Sequence, residues 1–94
     1  MSDAIRKTVR YTGHVQGVGF RWTAQRIAAG YEVSGYVMNM PDGDVELVVE
    51  ASPEVVKQLL AEIAATMDRY IRNTQIDTRP ATGEFLAMGF TIRH

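Results

Sequence analysis

The run Gly13-His14-Val15-Gln16-Gly17-Val18-Gly19-Phe20-Arg21 holds the residues best suited to chemistry in this chain. Glycines at 17 and 19 let the backbone curl tightly just before an apolar helical stripe begins. Successive N–H groups in such a curl, backed by the positive end of a helix dipole, form a nest for an anion. The same glycines would serve a plain tight turn equally well. The run is not a Walker loop, since no Gly-Lys-Ser/Thr follows, and the dinucleotide pattern fails because Trp22 stands at its third glycine.

Arg21 bears on the choice. In the first turn of a helix a cation opposes the dipole, at a cost of roughly 0.3–1 kcal/mol. An arginine there makes sense if an anion fills the nest, because a guanidinium clamps phosphate oxygens with paired hydrogen bonds. An ordinary solvated arginine is the alternative. Asn39, ahead of Pro41-Asp42-Gly43, has two readings as well. It is either a turn residue or an amide that orients a water or a substrate oxygen; having no titratable group, it cannot be a general base.

Composition narrows the chemistry. The 94 residues make one domain, 46% hydrophobic and 22% charged. Ten basic against eleven acidic side chains leave a net charge of −1, against a basic nucleic-acid footprint. With no cysteine there is no thiolate nucleophile, disulfide framework or Cys-based zinc site. Two histidines, His14 and His94, leave a metal site or a triad short of partners. Both are expected to be solvated, and Trp22, Tyr36 and Met38 to be packing or rim residues. No run approaches the ~18 apolar residues of a membrane span, and the opening residues lack the apolar stretch of a secretory signal. A soluble, cytoplasmic monomer without cofactor or metal is the expectation.

These residues need elements to hold them. Thr8 to Val15 alternates as a half-buried strand, with Val9, Tyr11 and Val15 inward. Phe20, Ala24, Ile27, Ala28 and Tyr31 give a helical stripe that Gly30 is placed to end. Val33 to Met40 and the run of Val45, Leu47 and Val49 form a hairpin about Pro41-Asp42-Gly43. Ser52, Pro53 and Glu54 open a second helix with Val56, Leu59, Leu60, Ile63, Ala64 and Met67 as its core stripe. Tyr70 to Arg79 reads as an exposed edge strand, and Met88, Phe90 and Ile92 as a closing one. The order predicts an α+β, ferredoxin-like sandwich: an antiparallel sheet, two helices on one face, βαββαβ plus a short final strand. An RNA-recognition use of that fold needs stacking aromatics on the third strand, but Asp44 to Glu50 is acidic and has none.

Gly13 to Arg21, together with Gly35-Tyr36-Val37-Met38-Asn39, Gly43-Asp44-Val45 and the closing Gly89-Phe90-Thr91-Ile92-Arg93, closely resembles the acylphosphatase family over nearly the whole chain. Tyr11, in place of an aliphatic residue, and Ala51, in place of a glycine, depart from the family's habits. So does the region from Met67 to Tyr70, which lacks the glycine- and proline-bearing linker often found after the second helix. The resemblance implies a hydrolase that cleaves carboxyl-phosphate anhydrides without metal. It implies that Val15, Gln16, Gly17, Val18, Gly19 and Phe20 cradle the phosphate, that Arg21 clamps the phosphoryl oxygens, and that Asn39 positions the attacking water. The partner would be a small acyl phosphate. A non-catalytic ferredoxin-like module that binds a small phosphorylated ligand in the same loop is the alternative. A structural domain pairing through its edge strand is a third class, but it accounts for neither signature.

Overall fold

The structure, a computed structural model, describes residues 3–94. Five strands form one sheet: β1 (Ile5–Gly13), β2 (Ser34–Asn39), β3 (Val45–Ala51), β4 (Ile71–Pro80) and β5 (Phe90–Arg93), with α1 (Phe20–Ala28) and α2 (Pro53–Thr66) between them in the order βαββαββ. The spatial order is β4-β1-β3-β2-β5. Strict alternation puts Val9 and Tyr11 of β1, Val37 of β2, and Val45, Leu47 and Val49 of β3 on one face. There they pack with Phe20, Ala24 and Ile27 of α1 and Val56, Leu59 and Ile63 of α2. This is the expected two-layer sandwich.

The sheet is mixed rather than antiparallel. β5 pairs in parallel with β2 (Gly35↔Phe90, Val37↔Ile92), because the connection from β4 returns the chain to the opposite edge. On the way Phe85 seats against Tyr36, ring centroids 5.7 Å apart, on the face away from the helices. That detour also takes Met88 out of the final strand. The turn bond from Met88 N–H to the Phe85 carbonyl leaves its side chain exposed, so only Phe90 and Ile92 of the expected trio lie in a strand.

Other boundaries move for local reasons. β1 stops at Gly13, where its pairing with β4 shifts register after Thr12, so Val15 is buried from a loop rather than from a strand. Ser52 Oγ accepts from the Val55 N–H and Pro53 starts α2, as expected. Within the α2 stripe Leu60 is half-buried and Ala64 exposed, because both sit at the margin of the face that meets the sheet. A single 3₁₀ turn, Asp68–Tyr70, joins α2 directly to β4. β4 is the exposed edge strand the sequence suggests, with nine of its ten residues solvent-facing. No helix among the described residues is long and apolar enough to cross a membrane.

Candidate functional site

The loop between β1 and α1 is anchored at both ends and braced in the middle. Val15 and Phe20 are buried, and the Phe20 ring packs on Tyr11 with centroids 4.8 Å apart. Tyr11 thus earns its unusual place in the first strand as the floor on which the loop rests. Burial pushes its phenol above the ordinary value, so it is neutral at physiological pH. The side chain of Gln16 turns away from the loop. Its amide donates to the carbonyls of Met40 and Asp44, both at 2.8 Å. Met40 follows Asn39, so one side chain fixes the loop to the end of the strand that carries Asn39.

Between these anchors the backbone alternates in hand. Gly17 and Gly19 have φ of 77° and 78°, while no non-glycine residue among those described has positive φ. An added Cβ at either glycine would have no atom within 4 Å. The backbone angle, not lack of space, therefore calls for glycine, and the open side faces a cleft. Alternating handedness turns successive N–H groups toward one point. Gly19 caps α1 with no side-chain hydrogen bond, and the first turn of the helix carries no acidic residue. The first N–H groups of a helix have no intrahelical acceptor, and among the described residues no side chain caps this one.

The cleft holds about 190 Å³. Val15, Gly17, Gly19 and Phe20 form its loop wall, and Arg21 and Trp22 of α1 lie beside them. Asn39 from the end of β2, with Ile92 and His94 from the last strand and the residue beyond it, completes the lining. The structure therefore brings Arg21, Asn39 and most of the predicted loop to one hollow. Gln16 braces the hairpin instead of lining it, and Val18 packs against the core.

Arg21 is half-buried, yet the five ion pairs among the described residues draw only on Arg6, Arg10 and Arg79. Among the described residues its one side-chain neighbour at hydrogen-bonding range is His94, whose Nδ1 lies 3.4 Å from Arg21 Nη1. Asn39 is not the residue that closes the hairpin turn. Backbone bonds close it, from the Met40 N–H to the Asp44 carbonyl at 2.8 Å and from the Gly43 N–H to the Met40 carbonyl at 3.1 Å. The side-chain bond within the turn runs from the Asp44 N–H to Asp42 Oδ1 at 3.0 Å and helps hold the Asp42 carboxyl below its ordinary range. His14 is exposed and does not line the cleft. His94 is exposed too, but it does line the cleft. Its position was readable: it shares parity with Phe90 and Ile92, and a strand that turns Ile92 inward carries residue 94 to the same side. Among the described residues no three His, Cys, Asp or Glu side chains cluster closely enough to hold a metal ion.

An arginine without a carboxylate, a helix start without a side-chain cap and an amide across the cleft thus surround one hollow. Comparison with known proteins shows the family. The acylphosphatase family model matches residues 7–92. An acylphosphatase of Thermococcus kodakarensis is 50% identical over 56 residues, a stretch covering 60% of this chain and 62% of that protein. One of Methanospirillum hungatei is 36% identical over 90 residues, covering 94% and 96% respectively. The crystal structure of acylphosphatase from Bacillus subtilis superposes with a TM-score of 0.84 at 21% identity, covering 96% of this chain and 99% of that one.

Proposed function

The chain belongs to the acylphosphatase family of acyl-phosphate hydrolases, and from that premise we propose that residues Val15 to Arg21 hold the phosphoryl group, Arg21 clamps its oxygens, and Asn39 positions the attacking water, without metal. The observation that carries this reading is the half-buried Arg21 at the uncapped start of α1, with no carboxylate beside it. A cation placed against the dipole is stabilised when an anion sits between the guanidinium and the loop N–H groups.

The chemistry suits so few reactive groups. Water attacks phosphorus while the P–O bond to the acyl group breaks, and the electron pair leaves with the carboxylate. A carboxylate has a conjugate-acid pKa of about 4, so it departs without a strong general acid. Phosphoryl transfer asks chiefly for positioning and for stabilisation of charge on the equatorial oxygens, which loop N–H groups and a guanidinium supply. The water's proton passes to a phosphate oxygen, since no Asp or Glu lines the cleft and its one imidazole, His94, sits against the Arg21 guanidinium.

Phosphate release from acetyl phosphate, followed with and without EDTA, tests the reading. Full activity in chelator is expected. Restoration of a chelated, inactive sample by added magnesium or zinc would overturn the metal-free mechanism. Phosphate monoesters such as phosphoserine should turn over far more slowly, because an alkoxide leaves much less readily than a carboxylate.

A further inference from the structure

A second hollow of about 410 Å³ lies against the first and shares one side chain with it, Trp22. It runs along α1, where Trp22, Gln25, Arg26 and Ala29 fall at i, i+3, i+4 and i+7 and so form one face of the helix. Its far wall includes Val33 and Phe90. Strand β5 passes under both hollows, with Ile92 lining the cleft and Phe90 the groove. Two residues of strand separate them by ~7 Å.

Trp22 is conspicuous in this setting. It is 62% exposed, in a turn of helix where α1 has no packing use for an indole. The Arg26 guanidinium stacks over its ring, 5.1 Å from the centroid, which holds the indole at the junction of the two hollows. Asn39 lines the cleft but not the groove. If a water activated beside Asn39 attacks phosphorus in line, the leaving group must point away from Asn39, and the groove is an apolar surface that adjoins the cleft on that side.

We propose that this groove is the acyl subsite: an aromatic or extended aliphatic acyl group lies between Trp22 and Phe90 while its phosphate occupies the loop. The inference rests on the function proposed for that loop and names the substrate class it favours. An acetyl group ends over Ile92 and cannot cover ~7 Å of strand, so it gains nothing from the groove. A benzoyl or hexanoyl group reaches Phe90, and stacking on the indole favours the planar ring. Since the bond to phosphorus weakens during reaction while the acyl group stays in place, the subsite acts mainly on KM.

The test compares kcat/KM for benzoyl and acetyl phosphate in the wild type, Trp22→Ala and Ala29→Glu, with competitive inhibition by inorganic phosphate measured for each. Trp22→Ala is expected to lower the benzoyl-to-acetyl ratio about tenfold, mostly through KM. Ala29→Glu, which puts a carboxylate at the exposed rim of the groove without truncating anything, should lower the same ratio severalfold. Inhibition by phosphate reports on the loop alone and should shift less than twofold in either variant. Equal loss on both substrates, an unchanged ratio, or phosphate inhibition that collapses with Trp22 would each overturn the subsite. Failure of the loop assignment reads out separately, as acetyl phosphate hydrolysis that is indifferent to Arg21.

Discussion

Two half-buried arginines on this small chain are treated in opposite ways. Arg6, on β1, is saturated. Its Nε donates to Glu50 Oε2 at 2.7 Å, and its Nη2 donates to Thr82 Oγ1 at 2.9 Å and to Glu84. Its guanidinium also lies over the Phe85 ring, 4.9 Å from the centroid. The bonds to Glu84 and Glu50 raise its pKa despite some desolvation. Arg21, at the start of α1, has a histidine nitrogen at 3.4 Å and no carboxylate. The first arginine fastens the β4–β5 connection to the centre of the sheet; the second has most of its hydrogen-bonding capacity unused within the fold. Charge satisfied within the fold contributes to stability, whereas charge left unsatisfied at a helix start is open to a ligand.

The sharpest way to break that contrast is Arg21→Gln. Loss of two charge-assisted hydrogen bonds at ~1.5–3 kcal/mol each should weaken transition-state binding roughly 10²–10⁴-fold. Without phosphate the variant should melt with the wild type or slightly above it, because a cation no longer opposes the dipole. Added phosphate should raise the wild-type Tm, since a ligand at 100 times its Kd contributes about 2.7 kcal/mol, and should barely move the variant. Paired melts at low ionic strength, with chloride as the screening control, measure both. An Arg21→Gln protein that keeps its activity but melts well below the wild type would make Arg21 a structural residue like Arg6.

Next in size is Asn39→Ala. Removing one preorganised polar group that acts on the reacting atoms costs on the order of 10²–10³-fold in rate. The expected signature is a fall in kcat with phosphate inhibition retained. Near-normal kcat would return Asn39 to the hairpin, although Asp42 already supplies the turn's side-chain bond.

How much of this could be read from sequence divides along a physical line. The loop, Arg21 and the strand bearing Asn39 were legible because glycine spacing, helix polarity and alternation are local. So were both helices and the exposed edge at β4. What depended on where distant segments land was not. That the Gln16 side chain braces the hairpin, giving its amide to Met40 and Asp44, follows only once the hairpin lies beneath the loop. The parallel placement of β5 was hidden because nothing local tells a short final strand which edge to join. His94 and Trp22 gain their places at the cleft only once β5 lies beside β2, although the parity of residues 90, 92 and 94 held a usable hint.

On the saturated side, Glu50→Gln should affect folding and spare catalysis. The Glu50 side chain is 3% exposed and accepts from the N–H groups of Thr82 at 3.0 Å and Gly83 at 2.9 Å as well as from Arg6. Burial alone would raise its pKa, but these donors outweigh burial and hold it below the ordinary value. An amide of the same shape loses the charge and turns an N–H group toward a donor, a loss of about 2–3 kcal/mol. For a domain of this size that lowers Tm by roughly 10–20 °C. Because the folded-state pKa is depressed, Glu50's contribution is complete above about 4.5, the ordinary value. It fades as pH falls through the lower folded-state value. The gap in Tm between wild type and Glu50→Gln should therefore be full at pH 7 and close in strong acid; a gap that widened below pH 4 would contradict this account.

Glu84→Gln is expected to have the smallest effect, although it touches the same guanidinium. Glu84 is bonded to Arg6 and its carboxyl is held low by that bond, but its side chain is 55% exposed. Water replaces a lost partner at such a site, and ordering two long side chains offsets much of the attraction. The variant should melt close to the wild type at low salt and indistinguishably from it at 1 M salt, where screening acts over ~3 Å. Measured beside Glu50→Gln, it separates burial from charge pairing as the source of Arg6's value to the fold. If Glu84→Gln lowered Tm as much as Glu50→Gln does, the network would act as one exposed ion cluster, and the distinction between the buried carboxylate and its solvated neighbour would fail.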